Sequence, residues 1–98
     1  MPVFFTYSYK RRNINFFVLK HDGKVLSFLD ACARCYPERL GYRFEGGRFI
    51  CRECKMGYSV EDIEKGAGSC HPIRLKGELR DGVYRIPLSE IEKHADKF

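Results

Sequence analysis

Four of the five cysteines form two Cys-x-x-Cys pairs, Cys32/Cys35 and Cys51/Cys54, with fifteen residues between the pairs. Within a pair, two intervening residues allow one tight turn to direct both sulfur atoms toward a common point. The longer spacing leaves room for a hairpin-like excursion that brings the two turns face to face. This pattern is typical of four-thiolate metal sites. We therefore predict that Cys32, Cys35, Cys51 and Cys54 are ligands of one shared metal ion or cluster.

The spacing alone does not identify the bound centre. Four cysteine thiolates suit zinc, a single iron atom or an iron–sulfur cluster. A pair of disulfides is a further alternative, and Cys32 and Cys35 could form a redox couple. However, a dithiol oxidoreductase normally carries one such motif at a helix N-terminus, whereas this chain has two in surroundings that favour β-strands. Metal or cluster binding is therefore the preferred interpretation.

The fifth cysteine, Cys70, is followed by His71 and Pro72. Three roles are open for Cys70: an additional ligand that exchanges with one of the four, a redox or metal-relay thiol beside the site, or a small buried residue. His71 is a candidate ligand or a hydrogen-bond donor to a sulfur atom. We therefore include Cys70 and His71 as further candidate site residues.

The size and charge of the chain fit one small metal-binding domain. Ninety-eight residues predict a single domain over residues 1–98. A hydrophobic content of 44% with 14% aromatic residues predicts a packed core. The formal net charge is +5, and cations near four thiolates would offset the negative charge of the site. A solvated or nucleic-acid-binding surface is the alternative use of the basic residues closest to the cysteines, which are Arg34, Arg39, Arg43, Arg48, Arg52 and Lys55.

The first third of the chain is predicted to be β-structure. Apolar and aromatic runs indicate strands over Val3–Tyr9, Ile14–Lys20 and Val25–Asp30. The Asp-Gly dipeptide inside His21–Lys24 is a strong hairpin signal. The basic residues 10–13 are predicted to form a turn, and Cys32 is predicted to lie in a loop just past the third strand. Asp30 is predicted to cap or shape that loop.

The remainder of the chain is predicted to contain short strands and minor helices. A turn at Gly46-Gly47 precedes a short strand, Arg48–Cys51, that carries the second cysteine pair. Ser59 is predicted to cap one or two helical turns, with Asp62 three residues later. Further predicted elements are a hairpin of Ile73–Leu79 and Gly82–Leu88, and a C-terminal helix with a capping box of Ser89 and Glu92 and an apolar face of Leu88, Ile91, Ala95 and Phe98.

The order of these elements resembles a Rieske-type domain, in which two loops at one end of a β-sandwich hold a [2Fe–2S] cluster. In that family the loops read Cys-x-His and Cys-x-x-His. Here Cys35 and Cys54 stand where the histidines would be, and the first loop is one residue longer. The resemblance implies a mainly β, small Rieske-like β-sandwich with two cysteine loops and a short C-terminal helix. A rubredoxin-like site with one iron is less favoured, because glycine usually follows the second cysteine of such turns, and Tyr36 and Lys55 stand there instead.

A more specific resemblance rests on the segments DACARCY, GYRFEGGRFICRECKMGYS and GSCHPIRL. Together they are similar to the iron–sulfur-containing, FtrD-like membrane protein family of bacterial iron-uptake and metal-transport systems, over roughly residues 14–76. All five cysteines fall on the cysteines of the family pattern. Ser69 replaces a glycine of that pattern, and His71 replaces an asparagine. The resemblance implies a membrane-associated module on the extracytoplasmic side that carries an iron–sulfur centre.

We therefore expect a binding module that transfers electrons or handles metal for a bacterial membrane transporter or redox partner, with [2Fe–2S] as the expected cofactor. Two alternatives stay open: a zinc-ribbon-like interaction domain with structural zinc, and a thiol oxidoreductase or metal chaperone that uses Cys70. No nucleophile–base pair argues for an enzyme, and nucleic acid is not the expected partner. No apolar run reaches the ~20 residues that a membrane helix needs, so the chain as given is expected to be soluble. The membrane association implied by the resemblance is then expected from a segment outside it.

Overall fold

The computed structural model describes residues 2–21, 23–32, 41–53, 55–66 and 71–98. The structure is mainly β with short helices, as the sequence predicts. The strands, in chain order, are β1 Val3–Tyr9, β2 Arg12–His21, β3 Lys24–Cys32, β4 Tyr42–Glu45, β5 Arg48–Cys51, β6 Gly57–Tyr58, β7 Pro72–Leu75, β8 Glu78–Arg80 and β9 Val83–Arg85. The helices are α1 Val60–Lys65, α2 Leu88–Glu92 and a 3-10 helix at Ala95–Lys97.

The largest sheet has four antiparallel strands in the order β1-β2-β3-β7. Side chains alternate between the two faces of a strand, and here both faces of the central strands are apolar. Phe17 and Phe28 are fully buried on one face, and Ile14 and Leu29 are fully buried on the other. The sheet is therefore the middle layer of the domain, with structure packed on each side.

A smaller sheet, β4-β5-β6, packs on the first face together with α1. The ring of Phe17 stacks on Phe49 of β5 with centroids 4.8 Å apart, and on Phe28 of β3 at 5.6 Å. Ile63 of α1 closes the same core cluster. Two sheets therefore share one aromatic core, which agrees with the mainly β architecture expected from the sequence.

The opposite face is covered by the β8–β9 hairpin and the C-terminal helices. Buried Ser27 of β3 donates to the carbonyl of Leu75 (3.0 Å) and shares a 2.8 Å hydrogen bond with the Tyr84 hydroxyl of β9. Ile91 of α2 is buried against this face. Tyr7 of β1 donates to the carboxylate of Glu92 at 2.8 Å, a contact that raises the pKa of Tyr7.

Helix α1 begins as the sequence predicts. The Ser59 hydroxyl accepts from the backbone N–H of Asp62, and the Asp62 carboxylate accepts from the N–H of Ser59, each at 3.2 Å. This reciprocal capping box satisfies two donors that the first helical turn leaves without partners. The side chains of α1 also reach the end of the β2–β3 hairpin, where Glu64 accepts from Lys24 at 3.0 Å.

Several predicted element boundaries are wrong. The predicted strand Ile73–Leu79 is two strands, because β7 pairs with β3 while β8 pairs with β9. Between them, the N–H of Lys76 donates to the Glu90 carboxylate at 3.2 Å and not to a strand neighbour. The predicted strand Gly82–Leu88 ends at Arg85, and Leu88 already belongs to α2.

The predicted capping box of the C-terminal helix is also wrong. The residue at the N-cap of α2 is Pro87, and no side chain caps this helix. Of the predicted apolar face, Ile91, Ala95 and Phe98 contribute to the core, whereas Leu88 is 56% exposed. The helix begins two residues earlier than the capping pattern required, and the helical conformation changes to 3-10 before Phe98.

Candidate metal centre

Cys51, the first cysteine of the second pair, is the last residue before the tight turn between β5 and β6. The backbone N–H of Cys51 donates to the carbonyl of Met56 at 3.0 Å, and the N–H of Lys55 donates to the carbonyl of Cys51 at 2.8 Å. Lys55 has a φ of +66°, in the left-handed region that favours glycine. The side chain of Lys55 donates to the carbonyl of Arg52 at 2.6 Å, which ties the turn together. The lack of glycine at position 55 therefore does not prevent the compact turn that metal-binding cysteine pairs require.

Cys51 is the last residue of β5 and is only 1% exposed. The side chains of Tyr42, Phe49 and Tyr58 are buried in the same core cluster, and Phe44 packs against it. These four aromatic side chains therefore belong to the same apolar core as Cys51. An apolar wall of this kind excludes water from a metal site and lowers the local dielectric constant.

The first cysteine pair begins inside a strand. Cys32 is the last residue of β3, and its backbone lies opposite Pro72 of β7. The prediction that Cys32 lies in a loop past the strand is therefore wrong, since pairing with β7 extends β3 by two residues beyond Asp30. The same pairing places Pro72, which follows Cys70 and His71 in the chain, next to Cys32.

Asp30 joins the two cysteine-bearing segments. Its Oδ1 accepts a hydrogen bond from the backbone N–H of Tyr42 at 2.7 Å, and Tyr42 lies directly opposite Cys51 in the β4–β5 pair. The end of β3 is thereby fixed beside the end of β5. The loop that Asp30 was predicted to cap or shape lies outside the described residues; the contact that the structure shows for Asp30 is to β4.

The hydrogen bond between Asp30 and Tyr42 requires the backbone at Gly41 to lie very close to the Asp30 side chain. Gly41 has a φ of +69°, and a β-carbon at this position would lie 2.8 Å from Asp30 Oδ1, so only glycine fits. Burial raises the pKa of Asp30, opposed by the hydrogen bond from Tyr42 and the positive charge of Arg52. The backbone N–H of Arg52 donates to the carbonyl of Gly41 at 3.0 Å, which fixes the position of Arg52.

Substitutions at Asp30 test this connection. Asp30→Ala should lower the free energy of unfolding by about 1–3 kcal/mol, because it leaves the buried N–H of Tyr42 without an acceptor. Asp30→Asn keeps an acceptor oxygen and removes a charge that burial disfavours, so it should change stability by less than about 1 kcal/mol. Urea unfolding of the metal-free protein measures both variants. Equal losses for the two would contradict the assigned role of the hydrogen bond.

The other candidate site residues are placed as follows. Cys35, Cys54 and Cys70 lie outside the described residues, as do Arg34, Tyr36 and Arg39. His71 immediately precedes β7 and is half-buried. Among the described side chains, which include Cys51 but none of the other cysteines, no three His, Cys, Asp or Glu residues lie close enough to hold a metal ion together.

Sequence reasoning missed the role of Gly41 and the partner of Asp30. Asp30 contacts Gly41 and Tyr42. Both residues follow Asp30 by more than ten positions, and no local sequence pattern predicts these contacts. It also assigned no partner to His21, which lies 3.6 Å from the carboxylate of Glu61 on α1. These contacts depend on how the small sheet and α1 pack, which is a tertiary property.

The described part of the chain is a small β-rich structure in which the buried Cys51 lies in the core shared by two sheets. The sequence model of the family described as "Membrane iron-sulfur containing protein FtrD-like" matches residues 2–98. The chain belongs to this family. No curated protein and no solved structure matches the chain significantly. In the described ranges, no helix has the length and apolar character needed to cross a bilayer.

Proposed function

We propose that Cys32, Cys35, Cys51 and Cys54 hold an iron–sulfur centre of the [2Fe–2S] type, in a module that transfers electrons or handles metal. The observation that carries this proposal is the Cys51 turn, with a compact backbone, left-handed Lys55 and a buried cysteine. The family description supplies the preference for iron and sulfide over other metals.

The residues present fit such a centre. Cys51 enters from a strand end that is surrounded by aromatic side chains, and Asp30 brings the end of β3 to the same place. The exposed cations Arg52 and Lys55 follow Cys51 directly, and their charge would offset that of four thiolates. An iron–sulfur cluster accepts and gives one electron at a time, with a potential set by its ligands and by burial. The chain itself supplies the thiolates, the apolar wall and the compensating charge.

A Rieske-like arrangement of the cysteine loops is part of the proposal. Two strand ends, those of β3 and β5, would each deliver one cysteine pair to the same end of the domain. With cysteines in place of two histidines, the potential is expected to be lower than that of a Rieske centre. Cys70 and His71 are proposed to line the site, since Pro72 returns the chain to the position opposite Cys32.

A thiol oxidoreductase is less well supported. A reactive thiol must be reached by its substrate, and Cys51 is almost completely buried, which disfavours the second Cys-x-x-Cys pair as the redox couple that would work with Cys70. Structural zinc would use the same four cysteines and the same turn. The family description favours iron and sulfide, and the experiment below separates the two.

The membrane character of the family suggests where the module works. We place it on the extracytoplasmic side of a bacterial membrane, next to a metal transporter or a redox partner protein. The basic side chains near the cysteines are assigned to charge compensation and partner contact and not to nucleic acid.

Anaerobic reconstitution tests the proposed centre. The 98-residue protein should take up two iron and two sulfide per chain, become brown, and lose its visible absorption when dithionite is added. Iron without acid-labile sulfide would indicate a rubredoxin-like site. A colourless protein that binds one zinc per chain and forms no cluster under these conditions would overturn the iron–sulfur proposal.

A further inference from the structure

The turn between β1 and β2 is built from two exposed cations in an unfavourable backbone conformation. Tyr9 pairs with Arg12, so Lys10 and Arg11 form a two-residue hairpin turn, with φ values of +49° and +67°. Such turns require positive φ at both positions and strongly favour Asn-Gly or Asp-Gly. Bulky side chains are disfavoured there. We call Lys10 and Arg11 the basic tip.

The same protein uses the favourable solution elsewhere. Asp81 and Gly82, between β8 and β9, have φ values of +53° and +76°, nearly the geometry of the basic tip. Gly46 and Gly47 make the corresponding turn between β4 and β5. The hairpin geometry therefore does not explain why lysine and arginine stand at the basic tip.

The contacts of the basic tip do not explain it either. The neighbouring Arg12 has a structural role, because it donates to the carbonyl of Phe98 at 2.8 Å and anchors the C-terminus of the 3-10 helix. Lys10 Nζ lies 5.2 Å from the centroid of the Tyr9 ring, a contact that is weak at an exposed site. In the described part of the chain, neither Lys10 nor Arg11 forms an ion pair with a carboxylate. An unfavourable backbone conformation in exposed residues whose side chains make no stabilising contact points to a function for those residues.

The basic tip lies at the end of the sheet where the candidate centre is located. The β2–β3 pairing ends where Phe16 lies opposite Leu29. Beyond this pair, β2 leads back to the basic tip and β3 continues to Cys32. Because β2 and β3 are antiparallel, the start of β2, which follows the tip, and the end of β3, which is Cys32, lie at the same end of the sheet.

We propose that the basic tip is the docking point for an acidic patch on the protein that exchanges electrons or metal with the candidate centre. This inference rests on the proposed function. Opposite charges steer such partners together and fix their orientation. A docking point beside the centre would shorten the transfer distance.

The surroundings of the tip favour a protein partner over a bilayer. The neighbouring side chains on β1 and β2 are polar, and Ser8 donates to Asn13 at 3.0 Å. The exposed apolar residues of β1, Val3, Phe4 and Phe5, lie in the half of the strand away from the tip, and Phe5 is about 16 Å from Lys10 by strand rise. A bilayer-binding surface would combine cations with apolar side chains that can insert.

The test replaces the basic tip with the turn that this fold prefers. The double variant Lys10→Asn/Arg11→Gly should raise Tm by about 4 °C or more, because it relieves the backbone strain. It should weaken binding of fluorescently labelled polyglutamate by about tenfold at low salt. The control Lys20→Asn/Lys65→Asn removes the same charge from exposed positions near the opposite end of the sheet and α1, and it should bind polyglutamate nearly as well as the original protein.

The binding assay needs no bound centre, so it tests the tip even if the iron–sulfur proposal fails. Once the centre is reconstituted, the rate at which a reduced acidic ferredoxin passes one electron to it should fall about tenfold in the tip variant. This difference should disappear in about 1 M salt, where charges are screened. Three results would overturn the inference. These are equal loss of polyglutamate binding in both double variants, a lower Tm for the tip variant, and selective loss of binding to phosphatidylserine vesicles or to a DNA oligonucleotide.

Discussion

Replacing Cys51 with serine will abolish the reconstituted iron–sulfur centre, with an affinity loss of at least ~100-fold. Loss of a residue that only supports a metal ligand costs 10–100-fold, and loss of a ligand should cost more. The measurements are iron and acid-labile sulfide per chain together with the visible spectrum. Circular dichroism of the same variant distinguishes loss of a ligand from loss of the fold, since Cys51 is buried and lies at the start of the β5–β6 turn.

Cys70→Ser is the matched control, because it changes a cysteine outside the two Cys-x-x-Cys pairs. It should retain the full iron and sulfide content. Loss of the centre in Cys70→Ser would contradict the assignment of four ligands. Retention of the centre in Cys51→Ser, with circular dichroism unchanged, would remove the turn from the site altogether.

Truncation of Phe17 to alanine should lower the free energy of unfolding by about 3–5 kcal/mol. Phe17 is fully buried and its ring lies within 4.8–6.5 Å of the ring centroids of Phe28, Tyr42 and Phe49. It therefore holds both sheets to one core. Since small domains have a total stability of about 5–15 kcal/mol, this loss would remove from about a fifth to all of it.

Phe5→Ala provides a comparison with the same change in side-chain volume. Phe5 is 46% exposed and stacks on Phe16 at the edge of the sheet, so its loss should cost about 1 kcal/mol. Chemical unfolding of the metal-free variants measures both effects. A loss at Phe17 as small as that at Phe5 would show that the two sheets do not depend on the shared aromatic core.

Local sequence signals predicted the elements that local physics determines. The strand Val3–Tyr9 and the strand Arg48–Cys51 have the predicted bounds, because β-favouring residues end at turn residues in each case. The Ser59 cap was also predictable, since all its hydrogen bonds lie within one helical turn. The family was recognisable from cysteine spacing and the residues around it.

Tertiary contacts determined what the sequence did not reveal. The extension of β3 to Cys32 depends on β7, which arrives from a distant part of the chain. The sequence singled out Asp30 but not its partner on β4. Lys55 stands where a rubredoxin-like turn usually has glycine, yet it adopts the left-handed conformation in a turn held by the hydrogen bonds of Cys51 with Met56 and Lys55.

The pairing of β3 with β7 has a consequence for how the protein reaches its native state. These neighbouring strands are separated in the chain by residues 33–71, so their contact closes a long loop at an entropic cost. A centre bound by the proposed cysteines would connect Cys51, inside that loop, to Cys32 at its start. We therefore expect cluster insertion to speed up refolding and the metal-free chain to complete this last strand pair slowly.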